Sequence, residues 1–256
     1  MSKKVLAGVF AIVIVAVFLI YNSDAMKERR IINALVAQNI EARGGADAWE
    51  AVATLRITGQ MDLGQGMHVP YVMDQKRPDK MCIEFEFDDH TAVQCVAGAT
   101  GWKLLPYLGR NQPEAMTEQE YREMGGSVAI DGLLFNSAER GNRVKLAGKE
   151  VVAGRPAVKL EVTLASGAVR WIYIDEESGL DIKLDTMRIL SGKPRRVETF
   201  YYDWQETNGL LIPRRQESQT EGREESNFLT VDSVITNPPL DDSRFAMPAT
   251  AGGGSS

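Results

Sequence analysis

From Thr54 onward, apolar residues recur at every second position, and the alternation persists almost to the end of the chain. The clearest run is "AVKLEVTLASG", where Val158, Leu160, Val162 and Leu164 alternate with Lys159, Glu161 and Thr163. A period of two puts neighbouring side chains on opposite faces of a strand. One face is then apolar and the other wet, as in an antiparallel sheet. The pattern predicts strands over Thr54–Leu63, Val69–Gln75, Lys80–Phe87, Ala92–Val96 and Gly101–Leu105. It predicts further strands over Arg143–Val152, Ala157–Leu164, Val169–Ile174, Leu180–Met187, Arg196–Gln205, Leu211–Ser218 and Ser226–Val234. Turn signals such as "RPDK", "ASGA", "EESG" and "TNG" separate them at the short spacing of an all-β sheet or barrel.

Two segments depart from this period. In "KERRIINALVAQNIEARGG", Ile32, Leu35, Val36 and Ile40 follow helical spacing, and Gly44-Gly45 suits the left-handed end of a helix. "ADAWEAV" follows and presents Trp49. The second departure is an insert over Thr117–Phe135. "TEQEYREM" opens it with Thr117 and Glu120 in capping-box positions, so a helix starts there. "GGSVAIDGLLFNSAERGN" then offers Ile130, Leu133, Leu134 and Phe135 to whatever the sheet encloses, as a fixed plug or as a lid that opens.

At the N-terminus, the apolar run Val5–Tyr21 follows Lys3 and Lys4. It reads either as a cleaved signal peptide, with small residues at Ser23 and Ala25, or as an uncleaved inner-membrane anchor. Its length and the basic Lys27, Arg29 and Arg30 favour the anchor. Residues 1–25 are thus set apart from a folded domain over 26–248, and residues 249–256 form a linker-like tail. Either reading places the domain outside the cytoplasm, where a disulfide between Cys82 and Cys95 is permitted. In "MCIEFEFDDHTAVQC" a two-residue Asp88-Asp89 loop sets the cysteines opposite one another. Matching the apolar face of Met81, Ile83, Phe85 and Phe87 to Val93 and Cys95 instead takes a three-residue loop, which turns Cys82 away.

Residue types carry little chemistry. His68 and His90 stand alone in turns, without ligand spacing, and a zinc site joining them to the cysteines is not demanded by any spacing. There is no Gly-x-Ser-x-Gly elbow and no phosphate loop, and the paired carboxylates fall at turns. No catalytic residue, metal or cofactor is expected. A net charge of -6 without a basic stripe argues against nucleic acid. What remains is apolar surplus. In "VRWIYID", Trp171 and Tyr173 point opposite to Ile172 and Ile174, so that strand is covered on both sides or meets a ligand.

Four stretches, "IEARGGADAWEAVATLRITGQM", "GW" at Gly101-Trp102, "IDGLLFNSAERGNRVKLAGKEVVAGRPAVKLEVTLASGAVRWIYIDEESGLDIKL" and "DSVITNPPLDDSRFAMP", together resemble the periplasmic LolA/LolB-like, or outer-membrane lipoprotein-sorting, proteins. The likeness runs from the Ile31 helix to Pro248, and Gly141–Ala157 is its most specific part. It implies an unclosed, strongly curved antiparallel β-sheet, a half-barrel wrapping the N-terminal helix and the short helical insert. It also implies an apolar cavity for the acyl chains of a lipid or lipoprotein, and no catalysis. Placement in the sequence nominates Trp102, Ile130, Leu133, Leu134, Phe135, Trp171, Tyr173 and Trp204 as cavity or lid residues. The resemblance falters where Leu133 follows Gly132 in place of a proline, and where Val5–Tyr21 suggests a tether beside an inner-membrane transport complex. A second reading is a membrane-anchored envelope sensor or scaffold that binds another protein through the same sheet.

Overall fold

The computed structural model describes residues 25–62, 64, 66–125, 128–190 and 192–249. The apolar run and all but the first residue of the tail lie outside them. Among the described residues, no helix is long and apolar enough to cross a membrane.

Helix α1 covers residues 25–42, and α2 is Ala46–Glu50. The first half of the sheet comprises β1 (Thr54–Asp62), β2 (His68–Lys76), β3 (Lys80–Phe87), β4 (His90–Ala97), β5 (Thr100–Leu105) and β6 (Arg110–Ala115). Helix α3 (Glu118–Gly125) follows, and then β7 (Arg143–Val152), β8 (Arg155–Thr163), β9 (Val169–Asp175) and β10 (Asp181–Leu190). The chain ends with β11 (Lys193–Thr207), β12 (Leu210–Thr220) and β13 (Asn227–Thr236). The twelve expected strands are present with modest boundary shifts. A thirteenth, β6, went unseen because "RNQPEA" has no apolar alternation and contains a proline, which only an edge strand tolerates.

All thirteen strands form one antiparallel, unclosed sheet in the order β6-β5-β4-β3-β2-β1-β13-β12-β11-β10-β9-β8-β7. The chain therefore starts in the middle of the sheet, meanders out to one free edge, crosses to the other, and meanders back until β13 pairs with β1. That central pairing carries a bulge at Thr58/Gly59. A Cβ on Gly59 would stand 1.8 Å from the Thr230 carbonyl oxygen, so the bulge admits glycine alone.

The register divides side chains between two faces. The inner face carries Leu55, Ile57 and Tyr71 on one half, and Val158, Leu160 and Ile172 on the other. Helix α1 packs across this face, with Ile32, Leu35 and Val36 on the second half and Ile40 on the first. Asn39, fully buried, fixes it by donating to the Gly179 carbonyl (2.9 Å) and to Asp181 (3.0 Å).

The outer face of β2–β5 is covered by the C-terminal segment. Phe245 is buried there against Trp102, Cys82 and Cys95, and the Trp102 indole N–H donates to the Phe245 carbonyl at 2.9 Å. Arg244 donates to Asp74 at 2.9 Å and pairs with Glu84, and Arg56 donates to Asp74 from the other side at 2.7 Å. Burial pushes the Asp74 carboxyl up, but the hydrogen bonds from Arg56 and Arg244 outweigh it and hold the group below its ordinary value.

Cys82 and Cys95 stand opposite one another and are bonded. The Asp88-Asp89 loop has positive φ at both residues (50° and 56°), the backbone of a two-residue hairpin turn whose twist matches its strands. The register expected from the apolar face is thus corrected. Met81 and Val96 are buried on one side and Cys82, Val93 and Cys95 on the other, so polarity does not discriminate between registers here.

Two outcomes follow. Thiol titration of the denatured, unreduced protein should find no free thiol, and reduction should lower the unfolding free energy by about 2–3 kcal/mol, read from the urea midpoint. Asp74 has a depressed pKa, so its contribution is complete above the unfolded value near 4 and is lost as the pH falls through the folded value. Asp74→Asn should cost about 3 kcal/mol at neutral pH and flatten the loss of stability below pH 4.

Candidate functional site

Because the free edges β6 and β7 are consecutive in the chain, the segment joining them must cross the open side of the curved sheet. Helix α3 begins this crossing with the expected capping box. The Thr117 N–H donates to Glu120 at 2.9 Å and the Glu120 N–H donates to the Thr117 hydroxyl at 3.3 Å. On the first half of the sheet, Glu120 pairs with Lys103 and the Tyr121 hydroxyl donates to the Gly98 carbonyl at 2.8 Å. On the second half, Arg170 donates to the Arg122 and Glu123 carbonyls, and Glu123 accepts from the Ile189 N–H at 3.2 Å. The helix ends at Gly125. The apolar residues that follow lie in successive turns rather than in a continued helix.

Those turns join the two halves of the core. Ile130 and Phe135 pack among Trp49, Ile57 and Tyr71, while Leu134, with half-buried Leu133 beside it, packs among Val158, Leu160 and Ile172. Asp131, whose side chain is wholly buried, holds the segment in place. It pairs with Arg77 at 2.6 Å and with Arg140, and Arg43 of the α1 C-terminal end donates to its backbone carbonyl at 2.9 Å. This is the geometry of a plug latched by charge. Asp131→Asn should destabilise the protein by about 3 kcal/mol. It should also speed amide exchange over residues 128–135 ahead of the strands, as hydrogen-exchange mass spectrometry would read.

The nominated residues separate by face. Ile130, Leu133, Leu134 and Phe135 lie inside the curve. Trp102 lies under the C-terminal segment on the outer face. Trp171 and Tyr173 also face outward, in a cluster with Val152, Ile182 and Phe200. There the Tyr173 hydroxyl donates to buried Asp185 at 2.7 Å, and Lys183 lies 4.7 Å from the ring centroid. The second apolar side of "VRWIYID" is therefore covered by charged side chains and their stems, not by the interior. Trp204 stands beside Tyr201, with ring centroids 6.3 Å apart. Its buried indole nitrogen has no partner among the described residues.

A different set of residues leaves the concave face open. Met61, Met73, Ile83, Phe85 and Leu229 share one face by register, adjoin the core, and remain only half-buried. Tyr107 extends the patch towards the rim, 6.0 Å from Phe85 and 5.5 Å from Phe87. The signal for them was the apolar face Met81-Ile83-Phe85-Phe87, which marks a covered strand but does not reveal that its cover is incomplete. Among the described residues there is no cluster of His, Cys, Asp and Glu able to hold a metal.

No protein-family model and no curated protein matches the sequence. Solved structures do. A DUF1329 family protein from Desulfovibrio piger superposes with a TM-score of 0.59 at 12% identity, covering 84% of this chain and 97% of that one. A LolA superfamily protein from Nitrosomonas europaea gives 0.58 at 13% identity, covering 84% and 96%. A domain named for outer membrane lipoprotein sorting, from Vibrio parahaemolyticus, gives 0.56 at 13% identity, covering 86% and 97%. The chain has the LolA/LolB-like fold.

Proposed function

We propose that this protein binds the acyl chains of a lipid or lipoprotein in the cell envelope, on the half-buried concave surface around Met73, Ile83 and Phe85. The observation that carries this reading is a contiguous apolar patch inside the curve of the sheet that the crossing segment leaves uncovered. Apolar surface of that kind marks a binding surface, and each methylene buried on it contributes ~0.8 kcal/mol. The solved structures of the same fold add support, since one is named for lipoprotein sorting. The protein acts as a periplasmic carrier or acceptor and not as an enzyme. Residues 1–25 would tether it to the inner membrane beside a transport complex.

Met73→Trp fills the patch with apolar volume and Ile83→Asp charges it. Both should abolish uptake of a fluorescent acyl probe while the melting temperature stays within a few degrees of the parent. Undiminished uptake in both variants would sink this placement. A polypeptide that co-purifies without any lipid would favour the scaffold reading.

A further inference from the structure

Most arginines that reach into the body of this protein are matched. Arg56 and Arg244 meet Asp74, Arg77 and Arg140 meet Asp131, Arg155 meets Asp175, and Arg196 meets Asp185. Three arginines on β9–β11 break that rule. Arg188 stands directly opposite Arg195 in the β10–β11 register, and Arg170, opposite Thr186, lies one rung along on β9. Arg170 is 5% exposed and Arg195 half-buried, while Arg188 is exposed. Among the described residues, no carboxylate oxygen lies within 4.0 Å of any of the three. Burial lowers the proton affinity of Arg170 and neighbouring Arg188 lowers it further, while Glu123 offsets part of the shift.

Like charges directly opposite on a sheet repel. Nearby carboxylates relieve them only in part: Glu123 acts on Arg170 from beyond ion-pair distance, and both neighbouring glutamates have other partners. Glu118 is paired with Arg122, and Glu123 accepts from Gln119 and from the Ile189 N–H. Arg170 also lines a groove of about 380 Å³ between α3 and the projecting end of β10, where Met187 and Ile189 are each 41% exposed. By alternation Met187 and Ile189 point to the face opposite Arg188 and Arg195, so the apolar neighbours of the opposed pair are those of the concave face. Two guanidinium forks without carboxylates at the edge of that face suit the phosphate oxygens of an anionic amphiphile.

We infer that Arg188 and Arg195, flanked by Arg170, hold the phosphate of an acidic lipid whose acyl chains run along the concave face. This rests on the acyl-binding reading above. By register, Arg195 shares its face with Val197, Thr199 and Tyr201, and Tyr201 leads through Gln216 to Leu229 at the apolar patch. Tyr201 lies six positions along the strand from Arg195, on the order of 20 Å, the reach of a long acyl chain. The arginines and the patch also lie towards the same rim, since β10 and β1 both end there and β11 and β13 both start there.

The test compares phosphatidylglycerol with diacylglycerol carrying identical fluorescent acyl chains, offered in neutral vesicles to the full-length protein and to Arg188→Glu/Arg195→Glu. The parent should take up the phosphate-bearing lipid about tenfold better, as charge-assisted hydrogen bonds imply. The double variant should lose that preference while its uptake of diacylglycerol and its melting temperature are unchanged. Arg188→Lys/Arg195→Lys should retain part of the preference. Equal uptake of the two lipids by the parent, or an undiminished preference in the double variant, overturns the headgroup assignment and leaves acyl binding standing. Uptake of neither lipid overturns both. Erasure of the preference by millimolar inorganic phosphate without loss of diacylglycerol uptake would assign the site to free phosphate and overturn the lipid head.

Discussion

The antiparallel pairing of β1 with β13 at the middle of the sheet organises everything else. With the first and last strands central, both free edges belong to strands adjacent in sequence, and the connection between them has to cross the open side. The crossing segment therefore lies where the core is, and it must be apolar where it touches the sheet and hydrogen-bonded where it does not. Ile130, Leu134 and Phe135 meet the first requirement, and Asp131 with Arg77, Arg140 and Arg43 meets the second. The same topology explains the partial cover. One short helix and a run of turns fill part of the concavity and leave Met73, Ile83 and Phe85 half-buried.

Charge is arranged with a consistent logic. Asp74, Asp131 and Asp185 have wholly buried side chains, and each is held by arginine from more than one direction or by arginine with lysine. The first two join parts distant in sequence, the C-terminal segment to β1–β2 and the crossing segment to the β2–β3 turn, and the third ties neighbouring strands on the outer face. A buried carboxylate stripped of its cation is strongly destabilising, so the Asp74 and Asp131 clusters lock the covering segments to the sheet. Against that background the opposed Arg188 and Arg195 stand out. An uncompensated pair at the rim is tolerated because it is partly solvated, and it is available to an anion.

Much of the architecture is legible in the sequence because it depends on local pattern. Val158-Leu160-Val162 announces its strand, Thr117 and Glu120 announce the cap of α3, and Ile32, Leu35 and Val36 announce the buried side of α1. The allocation of faces is less legible. Alternation reveals that a strand has two faces but not which of them lies inside a curve, and in this protein both are covered over long stretches. Placement in the sequence nominates Trp102, Trp171 and Tyr173 for the interior, yet they sit outward beneath the C-terminal segment or beside charged side chains. The sequence left two cysteine registers open for the same reason, since an apolar face does not set a register when its opposite face is also apolar.

By itself the sequence determined the strand count to within one, the mainly β fold and the capped helix that opens the crossing, because period, capping and turn chemistry act within a few residues. Only the tertiary structure decided that Cys82 meets Cys95, that Asp131 latches the crossing segment, and that Met73, Ile83 and Phe85 form the uncovered patch. It also decided that Arg188 and Arg195 stand opposed without a carboxylate. Each of these depends on residues brought together across the sheet by strand register and by the route of the covering segments, which no local pattern encodes.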